Sequence, residues 1–263
     1  MIARFDLHTH TTWCDGKNTP EEMVLAALAI DLDCLGFSGH GYATYDTDCC
    51  MSVQGAAAYR AEIAALRQKY KGQISILCGV EQDYWSDSDT SEYEYVIGSV
   101  HYVRADGELL CIDDTPEIAR RAVEAHFHGD WYALAEAYYD TVANVVERTR
   151  CDIIGHFDLI SKFNEKERFF DEEHPRYIAA WQAALDALLP YGKPFEINTG
   201  AMSRGWRTTP YPTGAMVEYI RSRGGRLLLS SDSHSAQTLC YGFERFDQLG
   251  DSLIDDWREI PKD

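Results

Sequence analysis

The segment Ile2-Ala3-Arg4-Phe5-Asp6-Leu7-His8-Thr9-His10 sets the pattern for the whole chain: a short apolar run that ends in side chains able to do chemistry. The run Ile2–Leu7 is too short for a stable helix and reads as a buried strand. His8 and His10 are alternate residues of an extended segment, so their imidazoles project the same way and can hold one ion together. Similar apolar runs bounded by turn residues recur at Cys34–Ser38, Ile74–Val80, Tyr95–Val100, Asp152–Gly155, Lys193–Ile197 and Arg226–Ser230. Each has the character of a strand covered on both faces.

Helical patterns fill most of the intervals. Thr19-Pro20-Glu21-Glu22 reads as a helix start, with Thr19 as cap, Pro20 in the first helical position and Glu22 closing a capping box. Thr115-Pro116 opens another helix in the same way, and the apolar spacings of 130–150 and 172–189 predict amphipathic helices. Strands alternating with helices imply a mostly parallel sheet with right-handed crossovers. Seven such units suggest an α/β fold closed into a barrel, with an open doubly wound sheet as the second architecture. The chain shows no linker, repeat or low-complexity tract, so residues 1–263 are expected to form one domain.

The strand ends carry the chemistry. Six of the nine histidines follow these runs, at His8, His10, His40, His101, His156 and His234, together with Glu81 and Asp232. A lone histidine at a strand end is ordinarily a hydrogen-bonded structural residue, but repetition at six ends is not expected by chance. In a parallel α/β fold these ends point to one face, so the residues converge and their donor types suit a metal ion. No GxSxG elbow, GxxxxGK[ST] loop or strand-following GxGxxG is present, so serine-hydrolase, kinase and dinucleotide chemistry lack their signatures.

With 24 basic against 43 acidic residues the net charge is −19, which repels nucleic acid and anionic membrane surfaces and favours metal cations. An anionic small substrate then needs local positive charge. The eight cysteines are scattered without a CxxC pair, and neither a leader-like segment nor a membrane-length apolar run is seen; a reduced, cytoplasmic setting is expected. The oligomeric state is left open.

These residues resemble the PHP (polymerase and histidinol phosphatase) domain family, and within it the histidinol-phosphate phosphatases. The family's opening D-x-H-x-H, another ligand a few residues on, an isolated His, a Glu, two further His and a closing D-x-H fall on His8, His10, Asp15, His40, Glu81, His101, His156, Asp232 and His234. The resemblance covers essentially the whole chain and implies a distorted (β/α)7 barrel, its metal site at the C-terminal ends of the strands, holding two or three divalent ions, zinc, manganese or iron. It implies one ion among His8, His10, Glu81 and Asp232, and a second shared by Glu81 with His101 and His156. A third would lie with Asp15, His40 and His234. Asp15 stands where many PHP proteins carry histidine, and a carboxylate is the harder ligand, which leans that position towards manganese or iron.

The resemblance further implies a metal-dependent phosphomonoesterase acting on L-histidinol phosphate in histidine biosynthesis, by attack of a metal-bridging hydroxide held by Glu81 with His8, His10 and Asp232. Gly39-His40-Gly41 departs from the family's more usual Glu-His, which bears on substrate choice. Another small phosphate ester, such as a nucleotide or phosphotyrosine, is the second reading; a non-catalytic metal-binding module is the third. Basic side chains complete the phosphate grip in the resembling enzymes, and Arg204, Lys162 and Arg207 are the candidates here. Asp158 is a candidate to orient His156, and Trp13, Tyr42, Tyr84 and Tyr102 are candidates to wall the pocket. His126-x-His128 lies before a helix and is read as structural or substrate-lining.

Overall fold

A computed structural model describes residues 4–260. Ile2 and Ala3, the start of the first expected strand, lie outside the described residues. All seven expected strand regions are strands: β1 (Phe5–Asp6), β2 (Cys34–Phe37), β3 and β4 (Ser75–Cys78, Val80–Asp83), β5 (Val96–Ser99), β8 (Ile153–Ile154), β9 (Phe195–Asn198) and β10 (Leu227–Ser230). They are buried on both faces almost throughout, as their unbroken apolar sequences require.

Every pairing among them is parallel. One sheet runs β1-β2-β3 and another β10-β9-β8-β5-β4. The two meet through single bridges, Thr9 with Ser233 and His40 with Glu81. The seven segments therefore follow one another in the expected order, but the hydrogen-bonded ladder is interrupted rather than continuous. Those two joints lie among the predicted ligands.

The third expected strand breaks at Gly79, and Tyr95 is the reason. A Cβ on Gly79 would sit 2.3 Å from the Tyr95 ring, and one on Gly36 would sit 2.3 Å from its hydroxyl. The buried Tyr95 hydroxyl donates to the Leu7 carbonyl at 2.6 Å and lies 3.1 Å from that of Phe37, tying the end of the β1 segment to β2 one residue before His8. Tyr95→Phe leaves these carbonyls short of a donor and is expected to cost about 1–3 kcal/mol of stability. A denaturant midpoint indistinguishable from that of the parent would refute this role.

The helix starts follow the expected chemistry. Thr19 and Glu22 complete a reciprocal capping box for Pro20–Ala29, and the Thr115 side chain caps Pro116–Phe127. The helical stretch expected over 130–150 is two helices, Trp131–Val142 and Val145–Thr149. Asn144 divides them: its side-chain amide donates to the Asp140 carbonyl at 2.8 Å, while its backbone N–H turns to Thr141. That is the competition by which asparagine ends helices. The expected 172–189 helix runs Pro175–Leu188.

One hairpin stood outside the expected repeat. β6 (Tyr102–Ala105) and β7 (Glu108–Cys111) pair antiparallel around Asp106-Gly107, both at positive φ. Asp-Gly between two strand-forming runs is a strong hairpin signal. Among the described residues no helix is long and apolar enough to cross a membrane.

Candidate metal centre

The strand ends, with the turn that carries Asp15, bring all nine expected residues to one place. Glu81, on β4 and 1% exposed, stands at the middle. Its Oε2 lies 3.1 Å from His8 Nε2, 3.5 Å from His10 Nε2 and 3.1 Å from His40 Nδ1. Its Oε1 lies 2.9 Å from His156 Nε2 and 3.3 Å from His101 Nε2. On one flank Asp232 Oδ1 approaches His10 Nε2 at 3.3 Å and His8 Nε2 at 3.8 Å. On the other, Asp15 lies 2.9 Å from His234 Nε2, 3.3 Å from His10 Nδ1 and 3.7 Å from His40 Nε2.

Three groups have potential ligand atoms all within 4.8 Å of one another: His8, His10 and Asp232; His40, Glu81 and His101; and His10, Asp15, His40 and His234. His10 and His40 thus each belong to two groups, which the family pattern did not distinguish. Asp232 adopts φ 48°, a left-handed conformation uncommon outside glycine. Strain of this kind costs on the order of 1–3 kcal/mol and collects at functional sites.

Buried imidazoles and carboxylates at this density are tolerable only with compensating charge. Burial alone would drive His8 neutral, yet Glu196, Glu81 and Asp232 together hold its pKa well above the ordinary 6.5. His10 is raised likewise against its burial, chiefly by Asp15 with Asp232. His101 is raised by Glu81 and Asp83, again against burial. His40 goes the other way: burial pushes it down to about 4, and Glu81 and Asp15 do not overcome that. Burial opposes ionisation of Glu81 and Asp232 as well, but the surrounding imidazoles and Arg204 hold both well below the usual carboxylate range: His8, His40 and His101 for Glu81, Arg204 with His8 for Asp232.

The cluster therefore behaves as an anionic cage in want of positive charge. The buried atoms His8 Nε2, His10 Nε2, His156 Nδ1 and Asp15 Oδ1 have no hydrogen-bond partner, although buried polar atoms are ordinarily paired. Unpaired nitrogen and oxygen donors of these types fit divalent transition-metal ions such as zinc, manganese or iron.

The cluster opens into a cavity of about 530 Å³. Its wall carries just two Lys or Arg side chains among the described residues, Arg204 and Lys162. Arg204 donates to the Asp232 carboxylate at 3.0 Å and to its carbonyl at 3.0 Å, and lies 3.1 Å from His234 Nδ1. Lys162 is fixed by the Asp113 carbonyl at 2.6 Å and carboxylate at 3.0 Å. Although burial favours the neutral acid, Lys162 and His101 hold Asp113 down at about 2.

Arg207, the third expected cation, does not reach this cavity. It is buried against Ser161, lies 3.7 Å from Asp158 and 4.0 Å from Glu165, and covers the Tyr211 ring at 4.9 Å. Its charge answers Asp158, whose pKa burial lifts to about 6 despite Arg207. Asp158 accordingly does not orient His156 either; its oxygens meet Arg207, Ser161 and the Thr213 N–H. Of the expected aromatic wall only Tyr102 lines the cavity, joined by Tyr45. Trp13 instead donates to Glu62 at 2.7 Å, and Tyr84 packs edge-on against Trp85. His126 pairs with Asp106 at 3.1 Å on the hairpin, and His128 ends a helix at φ 53°.

Several supporting residues were not anticipated. Asp83 accepts the His101 backbone N–H at 2.9 Å, lies 3.2 Å from its Nδ1, and accepts the Tyr45 hydroxyl at 2.5 Å. Asp6 is fully buried and joins β1 to β10 through Ser231 and the Cys240 N–H. Glu196 lies beneath His8 and His156. Asp83 and Glu196 share a readable signal: an acidic residue inside a run otherwise buried on both faces.

Residues 6–200 match the sequence profile of the PHP domain. A Deinococcus radiodurans protein named "Probable histidinol-phosphatase" is 30% identical over 257 residues, covering 92% of this chain and 91% of that protein. The fold superposes on HisK of Listeria monocytogenes with a TM-score of 0.79 at 20% identity, covering 92% of this chain and 99% of that one. It superposes on the histidinol phosphate phosphatase HisK of Lactococcus lactis, solved with zinc, L-histidinol and phosphate, with a TM-score of 0.68 at 23% identity, covering 93% and 91%. With six of its strand ends furnishing the family's histidines and carboxylates and most of its length matched, the chain belongs to the PHP domain family.

Proposed function

We propose that the chain is a metal-dependent phosphatase that hydrolyses L-histidinol phosphate to L-histidinol and phosphate. One observation carries this reading: nine histidine, aspartate and glutamate side chains cluster beside a cavity whose wall holds two cations, in a protein otherwise strongly acidic. The substrate named for the D. radiodurans relative, and the ligands bound to the L. lactis protein, fit that cavity's chemistry.

In this reading His8, His10, Asp15, His40, Glu81, His101, His156, Asp232 and His234 hold two or three divalent ions. Such ions, when bound, supply Lewis acidity: they acidify water and offset charge on a phosphoryl group in transfer. The chain's own residues do the rest. Arg204 presents a planar fork that suits phosphate oxygens, anchored by Asp232 and His234 on the ligand side. Lys162 brings a second cation to the cavity wall, held in place by Asp113. Tyr45 and Tyr102, packed edge to face at 5.0 Å, offer apolar wall beside Asp46, Asp113 and Asp114. That mixture suits a leaving alcohol carrying an imidazole and an ammonium group.

The test is phosphate release by manganese-loaded protein from L-histidinol phosphate beside a panel of nucleotides, phosphotyrosine and neutral alkyl phosphates, with His8→Ala as control. A preference of at least about tenfold in kcat/KM for histidinol phosphate, lost in the control, is expected; equal or better turnover of another ester would discard the substrate assignment. Arg204→Ala in the same assay is expected to raise KM more than it lowers kcat if its role is mainly binding.

A further inference from the structure

β9 sends no side chain into the ligand cluster itself, yet it carries Glu196, which is 1% exposed. Glu196 Oε1 lies 2.7 Å from His8 Nδ1. Its Oε2 accepts the backbone N–H of His156 at 3.0 Å and the Asn198 side-chain amide at 3.2 Å. One carboxylate therefore grips ligand-bearing segments that follow two different strands, β1 and β8. The far nitrogen of His8, Nε2, is buried without a hydrogen-bond partner and faces Glu81 at 3.1 Å.

We infer that Glu196 is a positioning residue for the ion cluster: it takes the Nδ1 hydrogen of His8, leaves the Nε2 lone pair turned towards the ions, and fixes the separation of His8 from His156. The inference rests on the metal-dependent reading above. The side-chain chemistry is restrictive, because both of its main partners are donors. A carboxylate accepts on both oxygens, whereas glutamine of the same size must turn its NH2 towards one of them. If the NH2 faces His8, the ring keeps its hydrogen on Nε2 and loses its ligand lone pair. If it faces the His156 N–H, that segment is pushed away. A partner of this kind beneath a metal-bound histidine commonly governs affinity by a factor of about 10–100.

The experiment compares zinc-loaded parent, Glu196→Gln and Glu196→Asp proteins in competition with a chelator, with the visible spectrum of the cobalt-substituted forms as second readout. Glu196→Gln is expected to keep the parent's circular dichroism and to bind zinc about 10–100-fold more weakly with an altered cobalt spectrum; Glu196→Asp is expected to fall between. Zinc affinity within twofold of the parent and an unchanged cobalt spectrum would overturn the proposal, whatever happens to the melting temperature. Should neither variant fold, long-range nitrogen–proton spectra of the loaded parent decide: a hydrogen on His8 Nδ1 supports the proposal and one on Nε2 overturns it. None of these readouts involves substrate, so a protein that holds zinc through Glu196 but ignores histidinol phosphate would remove the substrate assignment alone.

Discussion

Replacing Glu81 by glutamine is expected to lower kcat for phosphate release by at least about a thousandfold, the scale of several kcal/mol that metal-ion catalysis supplies. The reason is its central place. Its two oxygens lie within 3.5 Å of five imidazoles, those of His8, His10, His40, His101 and His156. Glutamine keeps the volume but removes the charge that those rings share, and offers NH2 to nitrogens that must remain free to bind ions. Metal content should fall in parallel, because no other carboxylate touches both the His8 and His101 sides of the cluster among the described residues. Turnover within tenfold of the parent at saturating manganese would show that Glu81 is not the centre of the machinery.

Stripping the ions with a chelator is expected to lower stability, and by more as pH rises. In the ion-free protein His8, His10 and His101 have pKa values above the ordinary 6.5. Their stabilisation is complete below that unfolded value and is lost as pH climbs through the folded values. His40, lowered to about 4, opposes this only below pH 6.5, where the unfolded chain binds the proton more readily. Glu81 and Asp232 contribute above the ordinary carboxylate range and lose their contribution only in acid. Between pH 6.5 and 9 the stripped protein should therefore weaken steadily. Ion binding runs the other way, since protons compete for the imidazoles. At a metal concentration a hundredfold over Kd, each site adds about 2.7 kcal/mol, or roughly 5–10 °C in Tm for a chain near this size. The gap between loaded and stripped melting temperatures should thus widen from pH 6.5 to 9; identical melting at pH 8 would rule out an ion-holding cluster.

Most of the site was legible because its chemistry is local in sequence. Apart from Asp15, which the family pattern alone supplied, each expected ligand follows a short apolar run, and a run that ends in His, Glu or Asp declares both its strand and its strand end. The Thr19 and Thr115 helix starts were legible for the same reason. What escaped reading depends on neighbours far along the chain. Arg207 and Arg204 are three residues apart in the chain, yet one is drawn over the Tyr211 ring towards buried Asp158 while the other reaches Asp232. Nothing local distinguishes them. Likewise Glu196 looks like an interruption of a buried strand until β1 and β8 are placed beside it. The split at Gly79 required knowing that the Tyr95 ring lies across the backbone there. The Asp106-Gly107 hairpin, by contrast, carried its own signal and was passed over because it stands outside the strand–helix alternation.

The joint between Thr9 and Ser233 brings residues more than 220 positions apart into register at the cluster. This has a meaning for the chain during its synthesis. His8 and His10 leave the ribosome more than 220 residues ahead of the Asp232 and His234 that share their cluster. A nascent chain can hold at most a fragment of the cage, with His8 and His10 facing an unfilled side. Emergence of the Asp232–His234 segment, rather than of the conspicuous His8 and His10 pair, then sets when the full cluster can form.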